Sequence, residues 1–244
     1  MKSIIYYTDN RLDGFLSGTM YGDILRFSKE SILKSGLPIV SCSLKPINFG
    51  KNIVLEGRER SYETMVEQIL ITLKNSMAKY VFFCEHDVLY HESHFDFTPP
   101  ADDVYYYNVN NYRWLYPQDC LITYNGLTSL SMMCCSRELA VKHYEHRLER
   151  INEFVMYAVK SKEPKWARRL GYEPGTKPRR RGGLTDEEHV KVRSELPNID
   201  IRHKRTFSAP KVTLESFNHP PPDFTQVTLD EIPGWNLRKL FNLL

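Results

Sequence analysis

The sequence predicts an α/β fold with a mostly parallel sheet flanked by helices, and three observations carry that expectation. Short apolar runs at Ser3–Tyr7, Ile39–Leu44 and Tyr80–Cys84 read as buried strands. Segments with apolar residues at helical spacing lie between them. Strands that alternate with helices in this way imply parallel pairing through crossovers.

Ser3–Tyr7 breaks at Thr8-Asp9-Asn10-Arg11-Leu12-Asp13-Gly14, residues favoured in turns and caps. A polar loop after a first strand is where many α/β proteins hold a nucleotide, and a plain connection is an equally good reading. Residues 22–34 carry Ile24, Leu25, Phe27, Ile32 and Leu33 on one helical face, and Gly36 with Pro38 stops them. Met65, Ile69 and Leu73 predict a helix over Tyr62–Asn75, with Ser61 and Thr64 as a weak capping signal. Arg60 then stands at a helix amino terminus, a place that suits phosphate, although a lone arginine there is usually solvated.

The third strand delivers Glu85-His86-Asp87. Carboxylates at i and i+2 beyond a strand end can converge on one hard cation, and the carboxyl edge of an open α/β sheet is where ligands bind. Taken alone, such a triplet is more often a solvated turn. Its place at the end of a third parallel strand, on the same edge as the Thr8–Arg11 loop, turns the balance towards a site.

Residues 104–110 read as a fourth strand, Leu127–Cys135 as a fifth strand or buried turn, and Arg137–Tyr157 as a helix. From Lys160 to Arg181 the chain is basic, with Arg179, Arg180 and Arg181 at its end and Trp166 and Tyr172 interleaved. Such a run suits a phosphate backbone with stacking, though basic runs are more often solvated faces. Gly182-Gly183 precedes Thr185-Asp186-Glu187-Glu188, where Thr185 as N-cap predicts a helix through Arg193. Asn198–Arg202 reads as a short strand ending on His203, and a Pro-rich tail follows.

With 244 residues, 41% hydrophobic and 26% charged, the chain has ample sequence for a core, and its formal net charge of +3 does not prove a polyanionic partner. The five cysteines form no C-x-x-C pair and read as reduced thiols of a cytoplasmic protein, not a zinc site. No apolar stretch approaches the roughly 18–20 residues of a membrane span, so no membrane partner is expected.

Together, Ile5-Tyr6-Tyr7-Thr8-Asp9-Asn10, the Glu85-His86-Asp87 triplet, Gly182-Gly183 with Asp186-Glu187, and His203 resemble the GT-A fold glycosyltransferases. More narrowly, Arg60-Ser61-Tyr62, the run from Phe83 to His91, His94–Pro100 and Asn198–His203 look like virus- and phage-associated glycosyltransferases, some of which act on hydroxymethylated pyrimidines in DNA. The resemblance implies a GT-A-like, Rossmann-type single domain over residues 1–244. Residues 1–100 would bind the nucleotide-sugar, residues 101–205 with the basic loop 160–183 would face the acceptor, and 206–244 would form an irregular wrapping tail.

It also implies roles. Asp87, Glu85 and His203 would hold Mn²⁺ or Mg²⁺. Tyr7, Thr8, Asn10, Arg60 and His86 would bind the nucleotide-sugar, with a UDP-sugar the first choice. Asp186 or Glu187 would be the base that takes the acceptor's proton. Trp114, Arg179, Arg180 and Arg181 would meet the acceptor, for which a hydroxymethylated pyrimidine in DNA is favoured over a surface glycan or a small molecule. Glutamate at the first position of the triplet departs from the usual aspartate, and Asp-Glu reverses the family's common Glu-Asp. Two other classes remain open: a nucleotidyltransferase, which also uses paired carboxylates, and a non-catalytic DNA-binding module with the triplet as a turn.

Overall fold

A computed structural model describes residues 1–157, 173–176, 188–206, 213–221 and 223–243. The expected α/β class with a mostly parallel sheet is observed. In chain order the elements are β1 (Lys2–Thr8), α1 (Met20–Leu33), β2 (Ile39–Ser43), β3 (Lys51–Val54), α2 (Tyr62–Asn75), β4 (Tyr80–Cys84) and β5 (Val88–Leu89). They continue with β6 (Val104–Asn108), β7 (Asn111–Leu115), β8 (Leu121–Thr123), β9 (Met133–Ser136), α3 (Arg137–Tyr157), β10 (Glu188–Val192), β11 (Asn198–Arg202), β12 (Thr225–Val227) and α4 (Leu237–Phe241).

The main sheet has the order β10-β6-β9-β4-β1-β2-β3, and only β9 runs antiparallel to its neighbours. The chain steps outward from β1 to β2 and β3, then returns to β4 on the other side of β1. This makes the boundary between β1 and β4 a topological switch point, where the crossover segments part and leave a crevice.

Period-two alternation sorts the strand residues onto two faces. Ile5, Tyr7, Val81, Phe83, Tyr105, Tyr107 and Cys135 pack with Val66, Ile69, Leu70 and Leu73 of α2 and Ala140, Tyr144 and Ile151 of α3. Ile4, Tyr6, Phe82, Cys84 and Cys134 face the other way, towards Ile32 of α1, Phe49 and Phe95. Each fully buried aliphatic or aromatic side chain contributes roughly 1.5–3 kcal/mol. Helix α2 has its expected bounds, and the Ser61 hydroxyl caps it by accepting from the Thr64 N–H at 3.0 Å.

A second sheet, of order β12-β8-β7-β11-β5, grows out of the carboxyl end of β4. It packs with Ile24, Leu25 and Phe27 of α1 and with Leu229, Ile232, Leu237 and Phe241. The carboxyl-terminal stretch is therefore partly regular, with β12 and α4 inside what reads in sequence as an irregular tail. Strand β3 is a further addition. A correction falls at Glu188–Val192: this is a strand paired in parallel with β6, not the helix that Thr185 predicts. Val190 and Val192 alternate with Lys191, a pattern that the open edge of the sheet accepts. Thr185 itself lies outside the described residues.

Candidate active site at the β1–β4 switch point

The register of β1 and β4 pairs Tyr6 with Cys84, which brings the next residues, Tyr7 and Glu85, side by side on one face. The Tyr7 hydroxyl donates to Glu85 Oε1 at 2.5 Å. Backbone atoms fix the turn: Tyr90 Oη accepts from the Glu85 N–H at 2.9 Å, and Ser28 Oγ donates to the Glu85 carbonyl at 3.1 Å. Beyond the turn, the Ile201 N–H donates to the Asp87 carbonyl at 2.9 Å, so β11 lies directly against the triplet.

The cleft above this edge is lined by Tyr7, Thr8, Asp9, Arg60, Glu85, His86 and Asp87, and by Arg113, Glu173, Asp200, Arg202 and Arg205. Its two sides differ in charge. Burial, then the neighbouring Asp87, push the Glu85 carboxyl up to about 8, with the Tyr7 hydrogen bond opposing them. Burial also disfavours ionised Asp87, but the neighbouring His86 and His203 imidazoles and the Arg202 guanidinium outweigh it and hold this carboxyl below its usual range.

Opposite, Arg113 Nε lies 3.4 Å from Asp200 Oδ2 and Arg202 Nη1 lies 3.2 Å from Asp200 Oδ1. Two guanidinium groups facing one carboxylate leave this wall positive. Arg205 stacks over Phe15 and Tyr21, 4.8 and 5.2 Å from the ring centres. Arg60 pairs with Asp9 at 2.5 Å. The arginine wall suits an anionic ligand such as a diphosphate, and the acidic edge would meet the same ligand only through a bound cation.

Of the residues singled out in sequence, Tyr7, Thr8, Arg60, Glu85, His86 and Asp87 all line this cleft. Thr8 Oγ1 accepts from the Asn10 N–H at 3.1 Å, while the Asn10 side chain turns away. Asn10 Oδ1 accepts from the N–H groups of Leu44 and Lys45 at 2.8 and 2.9 Å, and its Nδ2 donates to the Lys45 carbonyl. With φ at 58° it clamps the β1 loop to the end of β2 and does not line the cleft. His86 Nδ1 is buried and has no partner among the described residues.

One assignment changes, and another residue stands apart from the cleft lining. Trp114 is fully buried in the second core, with its indole N–H on the Gln118 carbonyl at 2.8 Å, so it presents no surface to an acceptor. His203 sits behind Asp87 and not in the cleft. Its Nδ1 accepts from the Arg205 N–H at 3.1 Å. That Nε2 faces Asp87 Oδ2 at 3.5 Å and is sealed from solvent. Beside Asp87 and without a hydrogen-bond partner among the described residues, this nitrogen stands next to the carboxylate that the resemblance assigns to the metal.

Glu85 and Asp87 do suit a divalent cation, since a positive ion relieves two crowded carboxylates. Among the described residues no three carboxylate, imidazole or thiol groups gather as a ligand set, so the remaining coordination would come from ligand oxygens and water. Asp186, Glu187, Arg179, Arg180 and Arg181 lie outside the described residues. Asp200, Arg113, Arg202, Arg205 and Glu173 escape sequence reasoning. The alternation of Asp200 and Arg202 with Ile199 and Ile201 was the one local signal for any of them.

No protein-family model and no curated protein sequence matches the chain. Among solved structures it is similar to the bifunctional IspDF of Campylobacter jejuni, with 9% identity and a TM-score of 0.36 over 80% of this chain and 50% of that one. It is also similar to residues 1–349 of S. aureus TarS in complex with UDP-GlcNAc, with 9% identity and a TM-score of 0.37 over 88% of this chain and 64% of that one. The chain thus spans half to about two thirds of their length, and at these scores neither likeness bears on activity. Among the described residues no helix is long and apolar enough to cross a membrane.

Proposed function

We propose that the protein is a glycosyltransferase that moves a sugar from a nucleotide-sugar, a UDP-sugar first among them, to a hydroxyl acceptor. The observation that carries this reading is the cleft at the β1–β4 switch point, where the Glu85–Asp87 edge faces the arginine wall of Arg113 and Arg202. Arg60 and Thr8 border the nucleotide end, and the arginines take the diphosphate charge. Glu85 and Asp87 would hold Mn²⁺ or Mg²⁺ beside the same phosphates. That ion, when bound, supplies charge neutralisation for the departing nucleoside diphosphate. His203 keeps Asp87 oriented and ionised, and Tyr7 orients Glu85.

The acceptor proposed is a hydroxymethylated pyrimidine in DNA. The resemblance of the motifs and the basic run through Arg179, Arg180 and Arg181 support it, since a protein that reaches a base in a duplex must first neutralise phosphates. The test is release of nucleoside diphosphate from a panel of UDP-, GDP- and TDP-sugars, with Mn²⁺ or Mg²⁺, with and without hydroxymethylated duplex DNA. Release that rises with the modified DNA is the expected result. Pyrophosphate release from nucleoside triphosphates in place of it would identify a nucleotidyltransferase.

A further inference from the structure

Among the described residues five acidic ones line the cleft, and four face neighbouring groups: Asp9 faces Arg60, Glu85 faces Tyr7, Asp87 faces His203, and Asp200 faces both Arg113 and Arg202. The fifth is Glu173. Among the described residues its carboxylate makes no hydrogen bond and no ion pair, and the residue lines the same cleft.

The turn that presents it is built, not incidental. The Tyr107 hydroxyl donates to the Pro174 carbonyl at 2.7 Å, and His189 Nδ1 meets the Gly175 carbonyl at 2.9 Å. The Glu173 carbonyl accepts from Thr176 Oγ1 at 2.9 Å, and Gly175 takes φ 73°, a left-handed conformation that favours glycine. Pro174 and Gly175 are buried, whereas Glu173 is not. Tyr107 and His189 belong to neighbouring parallel strands, β6 and β10, so the main sheet itself holds the backbone of this turn.

We infer that Glu173 is the general base that deprotonates the attacking hydroxyl, an inference that rests on the glycosyltransferase reading. A proton acceptor must reach the cleft and be free of a competing donor, and among the described residues Glu173 is the lining carboxylate that has neither a hydrogen bond nor an ion pair. The hydroxyl proton passes to a Glu173 oxygen as the acceptor oxygen bonds to the anomeric carbon. The bond from that carbon to the diphosphate oxygen breaks, its electron pair leaves with the nucleoside diphosphate, and Glu173 returns the proton to water. Water entering in place of the acceptor is activated in the same way, which makes donor hydrolysis a readout independent of acceptor identity.

The experiment compares the unmodified chain with Glu173→Gln, Asp186→Asn and Glu187→Gln. It measures nucleoside diphosphate release from the best donor of the panel across pH, with and without hydroxymethylated duplex DNA, and affinity for UDP by calorimetry. Glu173→Gln is expected to lose roughly a hundredfold or more in rate, to lose the acid limb of the pH profile, and to bind UDP within twofold of the unmodified chain. A Glu173→Gln protein that keeps both rate and acid limb overturns the inference alone, as does loss of that limb in Asp186→Asn or Glu187→Gln in its place. A hundredfold loss of rate accompanied by an equal loss of UDP affinity also overturns it, because the residue then supports the donor site. If the unmodified chain releases no nucleoside diphosphate from any donor, the glycosyltransferase reading fails and takes this inference with it.

Discussion

Replacing Glu85 by glutamine should make the protein more stable than the unmodified chain in alkaline solution while leaving the two alike in acid. Burial and the adjacent Asp87 push this carboxyl from 4.5 to about 8. An unfolded chain gives up the proton near the lower value and the folded chain near the higher. Between them the folded form binds more protons, so stability falls as pH rises. At 1.36 kcal/mol per pH unit the full shift corresponds to roughly 4–5 kcal/mol. Water in the open cleft screens a partly buried group, which reduces the loss to about 2 kcal/mol. Glutamine keeps the shape and can still accept from Tyr7 Oη without titrating. Urea unfolding followed by circular dichroism at pH 5, 7 and 9, without divalent ions, measures the gap. It should open by about 2 kcal/mol from pH 5 to pH 9, and curves for the two proteins that stay parallel over that range would refute the argument.

Other perturbations probe the rest of the site. Asp87→Ala should lower nucleoside diphosphate release by roughly a hundredfold or more, with an unchanged circular dichroism spectrum. Unchanged activity and unchanged metal dependence would remove Asp87 from the site. Asn10→Ala loses three hydrogen bonds to the chain at Leu44 and Lys45 and keeps a left-handed backbone; a stability loss of about 2 kcal/mol is expected in chemical denaturation. In Gly22→Ala the new Cβ meets the Leu16 carbonyl, so the loop ahead of α1 must move, and a fall of several degrees in thermal midpoint is expected. Neutralising Arg179, Arg180 and Arg181 together should weaken binding to hydroxymethylated duplex and lower the salt slope by about 3. Unchanged affinity would remove DNA as the acceptor.

The parts of the fold legible in the sequence are those where one periodicity rules. Helix α2 could be read to its ends because Met65, Ile69 and Leu73 share a stripe and Ser61 caps it. Strand β4 could be read because a strand buried on both faces is apolar throughout. Strand β3 gives no such signal, since Lys51-Asn52-Ile53-Val54 lies at a partly exposed edge. At Glu188 a local capping pattern and a weak alternation disagreed, and pairing with β6 decided between them. Within the site, the residues after β1 and β4 could be read because strand ends mark the ligand edge of such a sheet. The arginine wall and Glu173 could not, because their meaning comes from segments far apart in sequence. Trp114 shows the reverse error: an aromatic residue that reads as a contact surface is the centre of the second core.

The bond from Ile201 to the Asp87 carbonyl, and the neighbouring one from the His91 N–H to Asn198 Oδ1, also bear on how the protein folds. The latter joins residues 107 apart in sequence. Closing a loop of that length costs roughly 4 kcal/mol of chain entropy, which contacts made after closure must offset. Strands β1 and β2 pair Ile4 with Ile39, and β1 and β4 pair Lys2 with Tyr80, closures shorter than that of β11; the arginine wall arrives only when β11 docks. The cleft is therefore among the last features to assemble and among the first to open. A ligand spanning both walls should slow unfolding far more than it speeds folding.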